Sequence, residues 1–362
     1  MIKIRLWLFA GAMPLATVAA AQRAQIFPDC NSGTPVPFNE GVKWGYLTVS
    51  GIVIRPQFKS AGPFSEGLAT VCTAEGCGVI ITQGQFVFQV RDPHASLVAT
   101  WYSDGIGPVE KDGKWGYADV SGKVVIPLQF RYAGEFDTRM ARVLRGGKYF
   151  FINREGQKVT SEFDGAFDFS EGMAAVEVDH KIGYIRRDGT FVLPPIHQGA
   201  SGIDFLEGLV AVRIGGKVGF MDATGSIVVK PSYEDAFSFS DGVAPVSSGG
   251  KWGYIDKSGR VVVPLQYRIA HMFNEGVASV QFDSGKWGYI DKTGMVALPP
   301  IYGAAMPFCA GLAKVETFRR LGPDTGMCRA ERYEGKHGVI DHSGKYVWQD
   351  SKDQIWRSPF CL

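Results

Sequence analysis

A four-residue segment, Lys-Trp-Gly-Tyr, recurs along this chain at nearly constant spacing, and no other feature restricts the fold as strongly. The complete copies begin at Lys43, Lys114, Lys251 and Lys286. Counting weaker and degenerate copies, the residue equivalent to the glycine falls at positions 45, 78, 116, 150, 183, 219, 253, 288 and 338. Because self-similarity at a fixed period is the signature of a tandem repeat, we predict about nine copies of one unit of about 35 residues.

The best copy predicts three short strands joined by tight turns. Residues 277–281 alternate in polarity, residues 287–290 contain the Trp-Gly pair, and residues 295–298 are apolar. The second turn, Asp291-Lys-Thr-Gly294, has an Asp that can accept bonds from nearby backbone N–H groups and a Gly that tolerates a positive φ. The same Asp-x-x-Gly pattern recurs at Asp119, Asp222, Asp256 and Asp341. Each unit is therefore predicted to be a three-stranded antiparallel meander.

A second pattern links the units. It runs Pro264, Tyr267, Ala270, Phe273 and then Glu275-Gly276, and the same order recurs at residues 56–71 and 231–246. Proline suits a strand end because it donates no backbone hydrogen bond. The three-residue spacing of Tyr, Ala and Phe predicts an irregular or single-turn helical crossover that buries its aromatic rings between units, with the repeat tryptophan as a packing partner.

Such a unit cannot bury both faces alone, so the units must stack into a continuous core. Two all-β architectures fit: a closed, propeller-like ring and an open β superhelix with capped ends. Residues 37–41, Pro-Phe-Asn-Glu-Gly, look like the tail of a crossover without a unit before it, and the last unit lacks a crossover after it. Because the two ends look complementary, the ring is favoured.

On these segments the chain resembles the WG repeat family, also called KWG repeats, over roughly residues 38–348. The resemblance implies a β-repeat architecture, but no activity, because the family has no common catalytic motif or defined ligand. Four places depart from the family pattern. The second and fourth units lack Trp-Gly, and insertions lie near residues 85–103 and 318–335.

The first 21 residues differ from the remainder. A basic start at Lys3 and Arg5 precedes an apolar run from Leu6 to Val18 and the small residues Ala19 to Ala21. This is the pattern of a cleaved secretory signal, and the run is short for a bilayer span. We predict cleavage after Ala21, one repeat domain over residues 22–362, no stable membrane insertion, and a periplasmic or secreted location.

Export makes disulfides the expected state of the six cysteines. Their spacings match no compact metal cluster, and sequence alone leaves 15 possible pairings. Cys72 and Cys77 flank a predicted hairpin turn, and Cys30 and Cys361 lie at the two ends of the mature chain. Pairing within each of these sets leaves Cys309 to pair with Cys328 across an insertion.

No residue pattern predicts catalysis, a metal or a cofactor. None of the six histidines forms a zinc-type signature, and the recurring Asp and Glu residues have turn capping as their simplest role. Glycosidase chemistry also needs paired carboxylates, but sequence cannot pair them. The mature chain carries 36 basic and 36 acidic residues, because the signal removes Lys3 and Arg5, and this balance argues against nucleic-acid binding.

The sequence therefore predicts a non-enzymatic, extracytoplasmic scaffold, expected to be a monomer, that binds a protein or a cell-envelope polymer. Insertions into a repeat commonly form loops on the binding face, so the contact residues are expected in and beside them. The candidates are Trp101, Arg319, Arg320, Arg329 and Trp348. The alternative is a carbohydrate-active hydrolase or lyase with its site at the ring centre.

Overall fold

The computed structural model describes residues 33–90, 102–103, 105–137, 139–197, 204–323, 331–350 and 354–357. Within them lie nine small antiparallel sheets, which form the blades of a nine-bladed β-propeller, and no helix is present in these ranges. The predicted signal, Trp101, Arg329 and the three cysteines Cys30, Cys328 and Cys361 lie outside the described residues. The ring is confirmed and the superhelix is not formed.

In eight blades the second strand of the unit contains the repeat glycine position and lies between the first and third strands; in the fourth blade the equivalent strand is at the edge of its sheet. The first four blades are β1 (Val36–Glu40), β2 (Lys43–Thr48) and β3 (Gly51–Phe58); β4 (Ser60–Ala61), β5 (Leu68–Cys72), β6 (Cys77–Ile81) and β7 (Phe86–Val90); β8 (Ile106–Lys111), β9 (Lys114–Asp119) and β10 (Val124–Phe130); and β11 (Tyr132–Asp137), β12 (Met140–Arg145) and β13 (Lys148–Ile152).

The next four blades repeat this order, and the ninth is longer. They are β14 (Gly165–Ala166), β15 (Met173–Val178), β16 (Lys181–Arg186) and β17 (Phe191–His197); β18 (Leu209–Ile214), β19 (Lys217–Asp222) and β20 (Ile227–Tyr233); β21 (Asp235–Ala236), β22 (Val243–Ser248), β23 (Lys251–Asp256) and β24 (Val261–Tyr267); β25 (Ile269–Ala270), β26 (Val277–Gln281), β27 (Trp287–Asp291) and β28 (Val296–Tyr302); and β29 (Ala304–Ala305), β30 (Leu312–Pro323), β31 (Glu331–Asp341), β32 (Tyr346–Gln349) and β33 (Gln354–Arg357).

The link between blades is the irregular form of the predicted crossover, and in the described ranges its helical form is not present. The alanine of the link lies in a two-residue strand that pairs with the first strand of the next blade, as Ala270 pairs with Val280. The alanine and the following phenylalanine are buried, as predicted for the aromatic ring, at Ala270 and Phe273. The two-residue strand satisfies backbone groups that a buried loop would leave unpaired.

The repeat glycine is required by a close approach of the third strand. A Cβ atom at Gly253 would lie 2.6 Å from the carbonyl oxygen of Val263, and one at Gly219 would lie 2.3 Å from that of Val229. Both contacts are to backbone, which cannot move aside as a side chain can. The third strand carries a register shift at this place, so glycine admits the irregular strand to the sheet.

The hydrophobic core lies between blades and not within them. One cluster joins Tyr254 and Val263 of the seventh blade to Ala270, Phe273 and Val280 of the eighth. The repeat tyrosine is fully buried there, and its hydroxyl donates a 2.7 Å hydrogen bond to the carbonyl oxygen of His271 in the next link. Equivalent bonds at Tyr46, Tyr117 and Tyr289 show that this residue couples each blade to its successor.

The ring closes by packing the first blade against the ninth. Val36, Phe38 and Leu47 form a cluster with Leu312 and Val339. The closure was predicted, but one reason given for it is wrong. Residues 37–40 are not the tail of a crossover: they belong to β1, in which Phe38 pairs with Gly45. Phe38 takes the place that valine has opposite the glycine in other blades, such as Val246 opposite Gly253.

The predicted Cys72–Cys77 disulfide is present, across the hairpin of β5 and β6. Cys309 is also disulfide-bonded, with a partner outside the described residues. The Cys30–Cys361 and Cys309–Cys328 pairings stay predictions. Within the described ranges, no helix is long and apolar enough to cross a membrane.

Candidate functional site

The ring has two faces that differ in chemistry. We call the side with the turns between first and second strands, such as residues 249–250, the hairpin face. The opposite side carries the Asp-x-x-Gly turns, such as residues 256–259, and the Glu-Gly turns that precede each first strand; we call it the cap face. Because blades of a propeller are related by rotation about the ring axis, equivalent turns of all blades lie on the same face.

The repeat Lys-Trp pair lies where the second strand begins, at the hairpin face. Trp252 is half-buried and stacks on Phe237 with ring centroids 5.0 Å apart, and Trp287 stacks on His271 at 4.8 Å. The tryptophans therefore pack against the inter-blade clusters as predicted, yet Trp44, Trp115 and Trp252 keep part of their surface exposed. The fully buried aromatic of the motif is the tyrosine.

Both insertions arise on the hairpin face. The first insertion was expected near residues 85–103, but residues 86–90 form β7, the third strand of the second blade. The insertion therefore begins after residue 90. The second is an extension of the β30–β31 hairpin, to which β33 adds a third strand. In a regular unit the corresponding hairpin is short: Ser248 pairs with Lys251 across a two-residue turn.

The extended hairpin contains two of the predicted contact residues, Arg319 and Arg320, and pairs them with residues that were not predicted. Arg319 pairs with Glu334, Arg320 pairs with Tyr333, and Tyr333 also pairs with Trp356 on β33. Arg332 pairs with Arg357, a juxtaposition that sequence reasoning missed because β33 lies in the C-terminal tail, outside the repeat. Trp101 and Arg329 fall outside the described ranges.

Trp348 has a different environment from the one expected. It is half-buried on β32 and packs against Phe38 of the first blade, with ring centroids 5.1 Å apart. Its ring therefore takes part in the closure of the propeller, and this packing accounts for a tryptophan at that position.

A polar cluster lies between the fourth and fifth blades, where the repeat is degenerate. Arg142 forms an ion pair with Asp168 at 3.2 Å, donates a 3.1 Å hydrogen bond to the Tyr132 hydroxyl, and lies over the Tyr149 ring. Tyr149 occupies the tryptophan position of its unit. Sequence reasoning missed this cluster, and the loss of Trp-Gly in the fourth unit was its only signal.

Glu135 lies beside this cluster in an irregular part of β11. Burial raises the pKa of its carboxyl group to about 7, and the nearby Asp168 carboxylate adds to the rise. A carboxyl group that titrates near neutral pH can exchange a proton during a reaction. Perturbed pKa values also occur in structural networks, so they indicate a functional site without identifying one.

The recurring aspartates of the cap face hold turns. Asp256 accepts hydrogen bonds from the Ser258 hydroxyl at 2.6 Å and from the backbone N–H groups of Ser258 and Arg260 at 3.0 Å. These bonds hold the pKa of Asp256 below its usual value, and the bond from the Ser258 hydroxyl has the largest effect. The Glu-Gly carboxylates instead join neighbouring blades: Glu207 accepts a 3.1 Å bond from the N–H of Gly242 in the next blade.

Two histidines, His271 and His337, are in packing or paired positions. Burial lowers the pKa of His271 to about 4, and its Nδ1 lies 2.8 Å from the Ser279 hydroxyl. His337 is 3.2 Å from Glu316, and this contact raises its pKa. Among the described residues, no group of three His, Cys, Asp or Glu side chains is placed to hold a metal ion.

Known proteins are similar to this chain in repeat and in fold. A family profile described as WG containing repeat matches residues 50–75, 115–149, 149–181, 182–217, 219–252, 252–286 and 287–317, more than half of the chain. A solved structure described as the crystal structure of the eukaryotic initiation factor is 12% identical, with a TM-score of 0.58 over 90% of this chain and 98% of that chain. This likeness shows the fold alone.

A second solved structure is the extracellular domain of a one-component system of B. thetaiotaomicron. It is 11% identical, with a TM-score of 0.36 over 90% of this chain and 58% of that chain. No curated protein matches the chain in sequence.

Proposed function

This chain belongs to the WG-containing repeat family, and on that premise we propose that it is a non-enzymatic, extracytoplasmic scaffold whose hairpin face binds a protein or a cell-envelope polymer. One observation carries the proposal. Both segments that interrupt the repeat begin at the hairpin face, where the second strands of three blades, β2, β9 and β23, start with lysine and a partly exposed tryptophan. Per-unit insertions of repeat proteins commonly build the binding face.

The composition of the extended hairpin suits recognition of an acidic surface. Arginine is present on all three of its strands, at residues 319 and 320 of β30, 332 of β31 and 357 of β33. Tyr333 and Trp356 are register partners in the same sheet. Arg, Tyr and Trp are the residue types that dominate the energy of protein interfaces. The hairpin is therefore the part of the face on which we expect the strongest contacts.

Binding should be tested with a shortened hairpin and a charge variant. In the first, residues 318–335 are replaced by Gly-Gly, the turn that joins β22 to β23. In the second, Arg319 and Arg320 become Glu, and the matched control is Lys123→Glu with Lys345→Glu, both exposed on the cap face. Binding to purified cell-wall polymer and to detergent-extracted envelope proteins is measured for each.

We expect the two hairpin changes to weaken capture by roughly tenfold or more, as for loss of an interface hot spot, and the control to bind as the unaltered protein does. Equal capture by all variants would exclude the extended hairpin as the contact. Loss in the control alone would assign binding to the cap face.

The extracytoplasmic part of the proposal rests on the N-terminal signal pattern. Expression of the full chain should yield a mature protein that begins at Gln22, and N-terminal sequencing of protein from the periplasm or the medium measures this directly. A protein that keeps residues 1–21 and stays with the cytoplasm would contradict the proposed location.

The second candidate is a carbohydrate hydrolase or lyase, and the Glu135–Asp168 pair is the observation that favours it. A carboxyl group with a pKa of about 7 beside a second carboxyl group supplies the two acidic side chains that glycoside cleavage requires. Turnover of envelope glycans that is abolished in Glu135→Gln would favour the enzyme. Binding of the same glycans without turnover would favour the scaffold.

A further inference from the structure

The cap face carries ion pairs that join neighbouring blades at some junctions and not at others. In three of the five Asp-x-x-Gly turns, the residue after the Asp reaches back to a carboxylate of the preceding blade. Lys257 pairs with Glu207 at 3.0 Å, Lys292 lies 4.0 Å from Asp241, and His342 is 2.8 Å from Glu275. Between the fourth and fifth blades, Arg187 pairs with Asp137 at 2.7 Å.

The junction between the fifth and sixth blades has the carboxylate but not the cation. The residue equivalent to Lys257, Lys292 and His342 is Ala223, which follows Asp222 in its turn. Glu171 is the equivalent of Glu207, and among the described residues it has no ion pair. An open cleft of about 470 Å³ lies here, lined by Glu171, Met173, Arg186, Asp188 and Ala223 among others.

The Glu171 carboxylate is held in place by two hydrogen bonds and can accept more. One oxygen accepts a 2.6 Å hydrogen bond from the N–H of Glu207, and the other accepts a 2.8 Å bond from the N–H of Gly208. A carboxylate has about four lone-pair sites for such bonds, so both oxygens retain capacity. Its position is fixed by the fold before any ligand arrives, which lowers the cost of binding.

The other charges of the cleft do not neutralise Glu171. Arg187 is engaged by the side chain and the carbonyl oxygen of Asp137, at 2.7 and 2.9 Å, and lies over the Phe169 ring. Asp188 accepts hydrogen bonds from the backbone N–H and the hydroxyl of Thr190 in its own turn. The Thr190 hydroxyl has the largest effect in lowering the pKa of Asp188, and the charge of Arg186 also lowers it. Arg186 lines the cleft as well, but among the described residues no ion pair joins it to Glu171, so the Glu171 carboxylate has no ion-pair partner there.

We propose that this cleft binds the side chain of a lysine from a second polypeptide, with the ammonium group on Glu171. The neighbouring junctions show the fit, because the chain itself places the lysines of residues 257 and 292 at the equivalent carboxylates. The side chain of Met173 and the stem of Arg186 give the methylene groups of the ligand an apolar wall. At the junction between the second and third blades, the equivalent residue is Val120, which packs against the core. We therefore propose no lysine site at that junction.

The site lies on the cap face, so it is distinct from the hairpin-face binding proposed above. The probe is Nα-acetyl-lysine methylamide, added to the full-length, isotope-labelled protein at constant ionic strength. The same compound acetylated on its side-chain amine is the neutral control. The amide resonances of Glu207 and Gly208 report binding because both groups donate to Glu171.

We expect a saturable shift of these two resonances with the charged probe and none with the neutral one. Glu171→Gln should weaken binding by roughly tenfold or more, as for loss of a charged hydrogen-bond partner. Ala223→Lys should abolish it, because the new side chain occupies the cleft.

A reciprocal variant separates this site from general attraction of cations. Lys257→Ala opens the equivalent junction at Glu207 and should create a second site, reported by the Gly242 amide, which donates to Glu207. Equal shifts with the two probes, unchanged affinity in Glu171→Gln, or no saturable shift up to about 100 mM probe would each overturn the proposal.

Discussion

The fourth and seventh blades are built from the same repeat and solve the same packing problem differently. In the seventh blade, glycine at position 253 admits the third strand, β24, to the sheet. In the fourth blade, the equivalent position is Phe150, and the third strand is reduced to isolated bridges, Ile152 with Lys158 and Tyr149 with Phe163. A large residue at the glycine position and a regular third strand exclude each other, since both need the same space.

The fourth blade replaces the lost strand with side chains. Phe150 is fully buried in the cluster shared with the third blade, and the charged ends of Arg145 and Lys158 lie 5.2 and 5.3 Å from its ring centre. The polar cluster around Arg142 and Glu135 lies in this same blade and its junction with the fifth. Loss of the repeat glycine therefore accompanies a polar cluster in the fourth blade, and four measurements test how the two blades differ.

The largest effect is expected from Phe150→Ala. Removing a buried phenylalanine typically costs about 3–5 kcal/mol in the free energy of unfolding, and the fourth blade has no third strand to refill the space. Urea unfolding measures the loss, with Val125→Ala, an exposed residue of β10, as the control. A loss near that of the control would mean that side chains do not replace the missing strand.

Gly253→Ala should cost less, about 1–3 kcal/mol, as expected for overpacking. The added Cβ would meet the backbone of Val263 and Pro264 at 2.6–2.7 Å, so β24 must shift. The control is Ser248→Ala on the exposed end of β22. If alanine is tolerated as well as at the control position, close approach of the third strand is not what requires glycine.

Tyr254→Phe gives the seventh blade the residue type that the fourth blade has at the equivalent position, Phe151. It removes the 2.7 Å bond to the carbonyl oxygen of His271, and we expect a loss of about 1–2 kcal/mol because that oxygen stays buried without its donor. Tyr233→Phe, at a partly exposed ring, is the control. Equal stability of the two variants would show that the buried hydroxyl does not couple neighbouring blades.

The smallest effect concerns pH, because Glu135 keeps part of its surface in water. Its pKa in the folded protein is raised from 4.5 to about 7, so the folded state binds more protons than the unfolded state between these values. Its contribution is therefore complete below about pH 4.5 and is lost as pH rises through 7. Glu135→Gln should flatten the decline of stability between pH 5 and 8, measured as urea midpoints, and an unchanged slope would contradict the raised pKa.

Much of the fold could be predicted from particular residues. The nine glycine-equivalent positions each fall in the second strand of a repeat unit, and Asp256 caps its turn as its spacing indicates. The short link strand could not be predicted, because a two-residue strand leaves no periodicity to read and its pairing is tertiary. Trp348 could not be assigned either, since its partner Phe38 is far away in sequence.

The candidate sites depended still more on the tertiary structure. The pairing of Arg332 with Arg357 requires β33 to return to the extended hairpin, and the Glu135–Asp168 pair joins two links that are separate in sequence. Ala223 is an ordinary turn residue in the sequence. It marks a cleft only because the fold places it opposite Glu171, where the neighbouring junctions place a cation.

The amino-acid sequence was enough to establish the repeat unit, its turns and the all-β class, because strand alternation and turn chemistry act over a few residues. The closure of the ring, the choice of buried aromatic residues, the cysteine pairing and the set of carboxylates with a counter-ion were established by the three-dimensional structure. Except for the cysteine pairing, which lies within one hairpin, those properties depend on contacts between neighbouring blades, and each such contact joins residues that lie in different repeats.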